Sequence, residues 1–170
     1  MKLLISGPPA SGKSTLIIKL IDFLTKNNVK VGGIISPEVR KWGVRIGFKV
    51  VDLLTLKEKL FASVYYKTEY RVGKYYVDVG FFEEIAIPAF EIAERECKVI
   101  AIDEIGKMEL FSKKFEEKIR EVLTGNKVVI AVVHRNYLNE YKKYGKAFWL
   151  EREKWKEIYD SIVVELQKVV

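Results

Sequence analysis

The chain has 170 residues, of which 49% are hydrophobic and 31% are charged. This balance is typical of a folded globular protein and excludes a disordered chain, and the length favours one domain over residues 1–170. No apolar run approaches the roughly 20 residues of a membrane span, so no membrane association is expected. The single cysteine, Cys97, excludes an internal disulfide and favours a location in the reducing cytoplasm.

The net charge is +7, from 30 basic and 23 acidic side chains. Such an excess suits a polyphosphate or a nucleic-acid ligand, but it is also typical of the solvated, Lys/Glu-rich surfaces of heat-adapted proteins. The basic residues are scattered among acidic ones, and the chain has no Gly/Arg-rich tail. A nucleic-acid partner therefore has only weak support from the sequence.

The first eighty residues contain two apolar runs, at 2–6 and 29–36, which predict buried strands. Between them, apolar residues recur at helical spacing from Leu16, and Asn27 ends that helix. From residue 43 onward, apolar residues instead alternate with polar ones, which indicates half-buried antiparallel strands. We place these strands in an insertion over about 43–80, at 43–53, 59–66 and 75–79.

Helices and strands alternate through the second half of the chain. Residues 98–104 and 127–133 are continuous apolar runs, as expected of strands that are covered on both faces. Pro88 must start, kink or split the helix predicted around it. Helices are predicted at 82–95, 112–123, near 137–144 and from Trp155 to Leu166, with a strand at 146–149. The order predicts an α/β fold: a mostly parallel sheet flanked by helices, with a small antiparallel β insertion.

The segment GPPASGKS, residues 7–14, matches the pattern G-x-x-x-x-G-K-[ST] and lies between a predicted strand and a predicted helix. Its glycines let the backbone wrap around a polyphosphate, and successive N–H groups and the helix N-terminus supply positive potential. Lys13 would reach the β and γ phosphates, and the Ser14 hydroxyl would bind Mg²⁺. The predicted nucleotide-binding residues of this loop are Gly7, Pro8, Pro9, Ala10, Ser11, Gly12, Lys13, Ser14 and Thr15.

The second half of such a site is an acidic residue at the end of a buried strand. The run VIAIDEIG, residues 99–106, supplies Asp103, which is predicted to hold the metal with Ser14. Glu104 follows directly and can polarise an attacking water, a role that neither a switch protein nor a kinase needs. We therefore add Asp103, Glu104 and Gly106 to the nucleotide-binding residues and predict Lys13 and Glu104 as catalytic.

The letters DEIG also fit the D-x-x-G pattern of GTPases, so a guanine-nucleotide switch is an alternative. Those proteins normally add an N-K-x-D motif, whose aspartate reads guanine. The only candidate here is NKVV, residues 126–129, in which Val129 replaces the aspartate. The sequence therefore disfavours a guanine-specific switch.

Four segments, GPPASGKSTL, EVRKWGVRIGFKVV, YRVGKYYVD and VIAIDEIGKMELF, follow the order and rough spacing of a known family. Over about residues 2–135 the chain resembles small P-loop nucleoside triphosphatases, named from a thermophilic bacterial member, with archaeal and vertebrate relatives. The resemblance implies cytoplasmic, Mg²⁺-dependent hydrolysis of nucleoside triphosphates with loose base preference. It also implies a RecA-like sheet, in which another strand separates the loop strand from the Asp103 strand. Ala10-Ser11 stand where many members have Gly-Val.

Cations must meet the charge that spreads over the γ-phosphate oxygens during transfer. His134 and Arg135 follow the strand expected beside the Asp103 strand, where a polar residue often senses the γ-phosphate. Some relatives carry proline there, so neither role is carried over from the family. We predict Arg135 and Arg40 as catalytic, with His134, Lys107 and Arg45 as further candidates.

These observations predict a Mg²⁺-dependent enzyme that hydrolyses nucleoside triphosphates to the diphosphate and phosphate. ATP, GTP, CTP and UTP are all expected substrates, because no base-reading motif is present. Trp149 could flank the base, although a core position is the better expectation for it. A nucleotide or nucleoside kinase, with its acceptor held by the insertion, is the first alternative, and a nucleic-acid-stimulated ATPase is the second. No protein partner can be inferred.

Overall fold

A computed structural model describes all 170 residues. Ten strands form one sheet, with helices packed on both of its faces. The strands are β1 (Lys2–Ser6), β2 (Val31–Ile35), β3 (Glu38–Lys41), β4 (Val44–Asp52), β5 (Glu58–Ser63), β6 (Tyr70–Val72), β7 (Tyr75–Val77), β8 (Val99–Ile105), β9 (Val128–Val133) and β10 (Lys146–Trp149). The helices are α1 (Lys13–Lys26), α2 (Val79–Glu96), α3 (Lys107–Leu110), α4 (Lys113–Thr124), α5 (Leu138–Tyr141) and α6 (Trp155–Leu166).

Five strands make a parallel region with the order β10-β1-β9-β8-β2. In this region Val132 of β9 pairs with Ile5 of β1 on one side and with Asp103 of β8 on the other. The strand β9 therefore separates the loop strand from the Asp103 strand, as the resemblance implied. Because all five strands run the same way, their carboxyl ends meet at one edge of the sheet.

The antiparallel insertion supplies the other five strands, β3 to β7, so the sheet as a whole is mixed. It joins the parallel region where β4 pairs antiparallel with β2. The insertion begins at Glu38, five residues earlier than predicted, because the short strand β3 forms a hairpin with β4. Sequence patterns missed β3 since EVRK is mostly charged and three of its four residues are exposed.

The sheet has a hydrophobic cluster on each face. On one face α2 and α4 cover the sheet, and Phe82 packs its ring 4.9 Å from Phe61 and 5.0 Å from Phe115, centroid to centroid. On the other face α1 and α6 cover β1, β8 and β9. The continuous apolar runs of β8 and β9 are buried because helices cover both of their faces.

Two helices begin at side-chain caps that the sequence supplies. Asp78 accepts a hydrogen bond from the Phe81 N–H at 2.9 Å, and Ser112 accepts one from the Phe115 N–H at 3.0 Å. Pro88 lies inside α2, so it neither starts nor splits that helix. No helix has the length and apolar character that crossing a membrane would require.

Trp149 does not take the core position that we expected. It ends β10, the edge strand beside β1, and its side chain is 46% exposed, whereas its neighbours Phe148 and Leu150 are buried. Alternation along the edge strand turns Phe148 toward the α1 and α6 face and leaves Trp149 in solvent.

Candidate active site

The carboxyl ends of four parallel strands bring the predicted site residues to one edge of the sheet. β1 leads into the glycine-rich loop, β8 carries Asp103 and Glu104, and His134 follows β9 directly. Ser36 follows β2, and its hydroxyl is buried with no hydrogen-bond partner. Ligands bind at this edge in open α/β sheets, so the topology alone assembles a candidate site.

The glycine-rich loop needs its glycines for two separate reasons. Gly7 has φ +157, and a Cβ there would lie 2.3 Å from the carbonyl oxygen of Leu150, so only glycine lets the loop approach this backbone. Gly12 has φ +94, a left-handed conformation, and ends the loop as the N-cap of α1. Ala10 also has a positive φ of 60, a left-handed conformation that glycine adopts at lower cost than alanine.

Lys13 extends its ammonium group across the loop. Its Nζ donates hydrogen bonds of 2.8 Å to the carbonyl oxygens of Gly7 and Pro8. Burial lowers the pKa of Lys13, while the nearby carboxylates of Glu104 and Asp103 act to raise it. The lysine therefore lies between the loop backbone and the acidic residues of β8, where the phosphates of a bound nucleotide would need a cation.

Residues near the C-terminus hold the other side of the loop, and sequence reasoning missed them. Arg152 donates a hydrogen bond of 3.0 Å to the carbonyl oxygen of Ala10, and the Trp155 indole N–H donates one of 3.2 Å to that of Gly12. More than 140 positions separate these partners. No local pattern could reveal the contacts, which exist because β10 pairs with β1.

Asp103 and Ser14 form the candidate metal site. The Asp103 side chain is buried, with 6% exposure, and it takes part in no ion pair. Burial and the neighbouring Glu104 raise the pKa of Asp103 to about 7, and the Ser14 hydroxyl and Lys13 partly oppose this rise. A carboxylate and a hydroxyl are the hard oxygen ligands that suit Mg²⁺. Nowhere in the chain do three or more acidic, histidine or cysteine side chains converge on one metal position.

Glu104 and Glu109 face each other beside Gly106. A Cβ at Gly106 would lie 3.0 Å from an Oε1 atom of each, so glycine leaves room for both carboxyl groups. Burial raises the pKa of both glutamates, and Lys13 opposes the rise at Glu104. Glu109 is only 4% exposed. Our site prediction did not include it, although it lies in the DEIGKMEL segment, whose short helix α3 turns it back toward Glu104.

Two adjoining cavities open beside these carboxyl groups. The first is lined by the loop residues 10–15, by Pro37, and by Glu38 and Arg45 of the insertion. The second, about 220 Å³, lies deeper and includes Asp103, Lys107, Glu109 and His134 in its lining. Both are bordered by Ser14, Ser36, Phe48 and Glu104. A phosphate chain on the loop would therefore end next to the deeper cavity.

His134 lines the deeper cavity as a neutral imidazole. Burial, together with the positive charges of Lys13 and Arg135, lowers its pKa. Its Nδ1 accepts a hydrogen bond of 3.1 Å from the Asn136 N–H, so the ring proton of the neutral form is on Nε2. The histidine can donate that proton to a phosphate oxygen.

The predicted arginines take different positions. Arg135 is exposed and lines neither cavity, but it is close enough to Lys13 and His134 for its charge to lower the pKa of both. Arg45 borders the loop cavity, where it donates to the Tyr75 hydroxyl at 2.8 Å and packs over the Phe48 ring. Arg40 lies outside both cavities because the hairpin holds it: it pairs with Glu38 at 2.7 Å and donates to the Gly43 carbonyl.

Comparisons with known proteins show which family this chain belongs to. A family model described as NTPase matches residues 2–163. The chain is 45% identical over 166 residues to nucleoside-triphosphatase THEP1 of Methanothermobacter thermautotrophicus, covering 96% of this chain and 94% of that protein. The chain belongs to the THEP1 nucleoside-triphosphatase family. It is also 38% identical over 171 residues to the THEP1 of Pyrococcus abyssi, covering 100% of this chain and 94% of that protein.

Two solved structures of nucleoside triphosphatases share the fold. The crystal structure of THEP1 from the hyperthermophile Aquifex aeolicus matches with a TM-score of 0.82 at 37% identity, covering 95% of this chain and 96% of that one. The solution structure of a human cancer-related nucleoside triphosphatase matches with a TM-score of 0.83 at 32% identity, covering 98% and 97%. The family resemblance, the α/β P-loop fold and the enzyme class predicted from the sequence are confirmed.

Proposed function

We propose that this chain hydrolyses nucleoside 5'-triphosphates to the diphosphate and phosphate in a Mg²⁺-dependent reaction, with little preference among bases. One observation carries the proposal. Glu104, a partly exposed carboxyl group, follows the metal-site Asp103 and borders the same cavities as Ser14 of the loop. A residue that orients water is what separates a hydrolase from a protein that only binds nucleotide.

The loop binds the phosphate chain in this mechanism. Its backbone N–H groups and the N-terminus of α1 supply fixed positive potential, and Lys13 adds the charge that meets the β and γ phosphates. Ser14 and Asp103 would hold Mg²⁺, which when bound neutralises charge on the β and γ oxygens. These contacts are the same for every nucleoside triphosphate.

Glu104 acts on the nucleophile. Its carboxylate accepts a hydrogen bond from a water that faces the γ-phosphorus, which positions the water oxygen for attack and draws off its proton. The bond from that oxygen to phosphorus forms while the bond to the β–γ bridging oxygen breaks. In this proposal His134 Nε2 and Arg135 meet charge on the γ oxygens; His134 lines the deeper cavity, and the charge of Arg135 acts on His134.

Base tolerance is the first test of this proposal. Strong discrimination needs buried groups matched to one base edge, and no such set lines the loop cavity. With Mg²⁺ present, we expect the kcat/KM values for ATP, GTP, CTP and UTP to lie within about two orders of magnitude, or roughly 3 kcal/mol. Phosphate release measured side by side on the four substrates checks this. A preference above about a thousandfold for one base would contradict it.

Arg135 is the arginine that we expect to support turnover. A side chain that meets the γ-phosphate mainly in the transition state lowers kcat when removed, with little change in KM. We expect Arg135→Ala to lower kcat by at least about tenfold. Arg40→Ala is the matched control, since Arg40 is held in the hairpin by Glu38, and it should stay within about twofold of the parent. If both variants have the same activity as the parent, Arg135 does not act in the site.

A kinase remains the second candidate, because the deeper cavity has features that water alone does not need. Phe48, Val72 and Met108 give it apolar walls next to Glu104. Its volume of about 220 Å³ is below the range of typical ligand pockets, so only a small hydroxyl-bearing acceptor would fit.

The proposed setting is the cytoplasm, with residues 1–170 acting as one domain. Cys97 is free and buried, which fits a chain that needs no disulfide. Treatment with an oxidant or a thiol reductant should therefore leave the folded protein unchanged.

A further inference from the structure

The excess positive charge of this chain is concentrated in its antiparallel insertion. Residues 38–77 contain nine lysines and arginines against four acidic residues, so they carry +5 of the chain's +7. The other 130 residues are nearly balanced. A general adaptation of the surface to heat would spread charge pairs over the whole protein, and it does not explain an excess confined to one segment.

Exposed aromatic side chains accompany this charge. Trp42 and Gly43, with φ values of 56 and 77, form the two-residue turn between β3 and β4. The turn presents the Trp42 ring to solvent, and the side chain is 92% exposed. Tyr65 nearby is 65% exposed and Val44 is 57% exposed. Trp42, Val44 and Tyr65 line one groove, so they form a contiguous exposed apolar patch, and such patches mark interaction sites.

The aromatic and basic residues line one groove of about 380 Å³ on the insertion, which we call the hairpin groove. Its lining includes Lys41, Trp42, Val44, Arg45, Tyr65 and Lys74, and no acidic residue. Lys41 lies 5.9 Å from the centre of the Tyr65 ring. Arg45 pairs with Glu38 at 3.5 Å, whereas Lys41 and Lys74 take part in no ion pair. Two cations therefore face solvent without a partner, next to two exposed rings.

We propose that the hairpin groove binds single-stranded nucleic acid. Trp42 and Tyr65 provide rings on which unpaired bases stack, and Lys41 and Lys74 lie where the phosphate backbone would pass. Stacking tolerates any base, because every base has a π-face. A duplex keeps its bases inside, so the two rings would have nothing to stack on.

The groove adjoins the nucleotide site. Arg45 lines the hairpin groove on one side and the loop cavity on the other. Nucleic acid bound in the hairpin groove would therefore be separated from a triphosphate on the loop only by the Arg45 side chain. A nucleic-acid-dependent nucleoside triphosphatase requires its two ligands to be this close together. The inference concerns binding, so its test does not depend on the proposed hydrolysis, and each can fail without the other.

Binding of labelled oligonucleotides to the full chain tests the inference. Fluorescein-labelled dT20 and rU20 should bind by anisotropy at about 50 mM salt, and affinity should fall by about tenfold at about 200 mM because few phosphates are contacted. The double variant Trp42→Ala/Tyr65→Ala should weaken binding at least about tenfold. Val164→Ala, which removes an exposed apolar side chain from α6, should leave it within about twofold.

A second pair of variants tests the charge. Lys41→Glu/Lys74→Glu should weaken binding more than Lys113→Glu/Lys114→Glu, which makes the same charge change on the exposed start of α4. Failure of the parent to bind either oligonucleotide at low salt would overturn the proposal, as would equal binding by the Trp42/Tyr65 variant. Equally tight binding of a 20-base-pair duplex would also overturn it. So would a dimer in sedimentation velocity that the Trp42/Tyr65 variant abolishes, since the groove would then bind a second copy of this chain.

Discussion

Replacing Lys13 with alanine is expected to lower kcat/KM for Mg-ATP by about 10²- to 10³-fold, the size of effect seen when one preorganised donor to developing charge is removed. Lys13 is the lysine of the loop, and its Nζ already lies between the carbonyls of Gly7 and Pro8. The backbone N–H groups remain in the variant, so some binding should persist. Initial rates of phosphate release over a range of ATP concentrations measure the loss.

Lys19→Ala is the matched control for this substitution. Lys19 is exposed on the same helix, α1, and makes no ion pair, so its removal should leave kcat/KM within about twofold of the parent. Circular dichroism should show both variants folded. A folded Lys13→Ala protein with the parent's rate would mean that the glycine-rich loop is not the phosphate site.

Glu104→Gln is expected to keep nucleotide binding and to lower kcat by roughly 10²- to 10⁴-fold, the range typical of a lost general base. The amide is close to the carboxyl group in size but cannot take up the proton of water. The same change should not lower the melting temperature, because Glu104 acts to raise the pKa of Asp103 and Glu109 and its removal relieves that repulsion. Titration with a fluorescent nucleotide, single-turnover hydrolysis and thermal melting measure the three effects.

Glu117→Gln, on the exposed side of α4, is the control with the same chemical change and should match the parent. Labelled γ-phosphate then separates hydrolysis from transfer. A hydrolase releases the label as phosphate, and this release is what Glu104→Gln should suppress. If label is transferred to a nucleoside or nucleotide faster than to water, and Glu104→Gln has little effect on the rate of that transfer, the kinase would be favoured.

Much of the parallel region of the sheet could be predicted from the sequence, and the reason is physical. Strands that are covered on both faces must be apolar throughout, so β8 and β9 appear as unbroken apolar runs that few alternatives can explain. The insertion was harder to read. Its short strands β3 and β6 contain only four and three residues, and they are held by pairing with β4 and β7 rather than by a pattern of their own.

The glycine-rich loop and the acidic pair on β8 were predictable because each is a local motif. The loop's conformation depends on glycines at set positions, and the position of Asp103 in β8 follows from the apolar run that precedes it. Glu109 lay within reach of the same reasoning. It lies in the DEIGKMEL segment that was already singled out. The local sequence, including Met108, does not indicate, however, that α3 turns a second carboxyl group toward Glu104.

Local pattern was therefore enough for the α/β class and for the positions of the glycine-rich loop and of Asp103, because backbone conformation and strand burial depend on nearby residues. Only the folded chain decided which distant side chains reach the loop. The pairing of β10 with β1 brought Arg152 and Trp155 to it, and the β3–β4 hairpin turned Arg40 away while it placed Arg45 at the cleft. These contacts depend on strand order and register, which many sequence-distant pairings set together and which no single segment encodes.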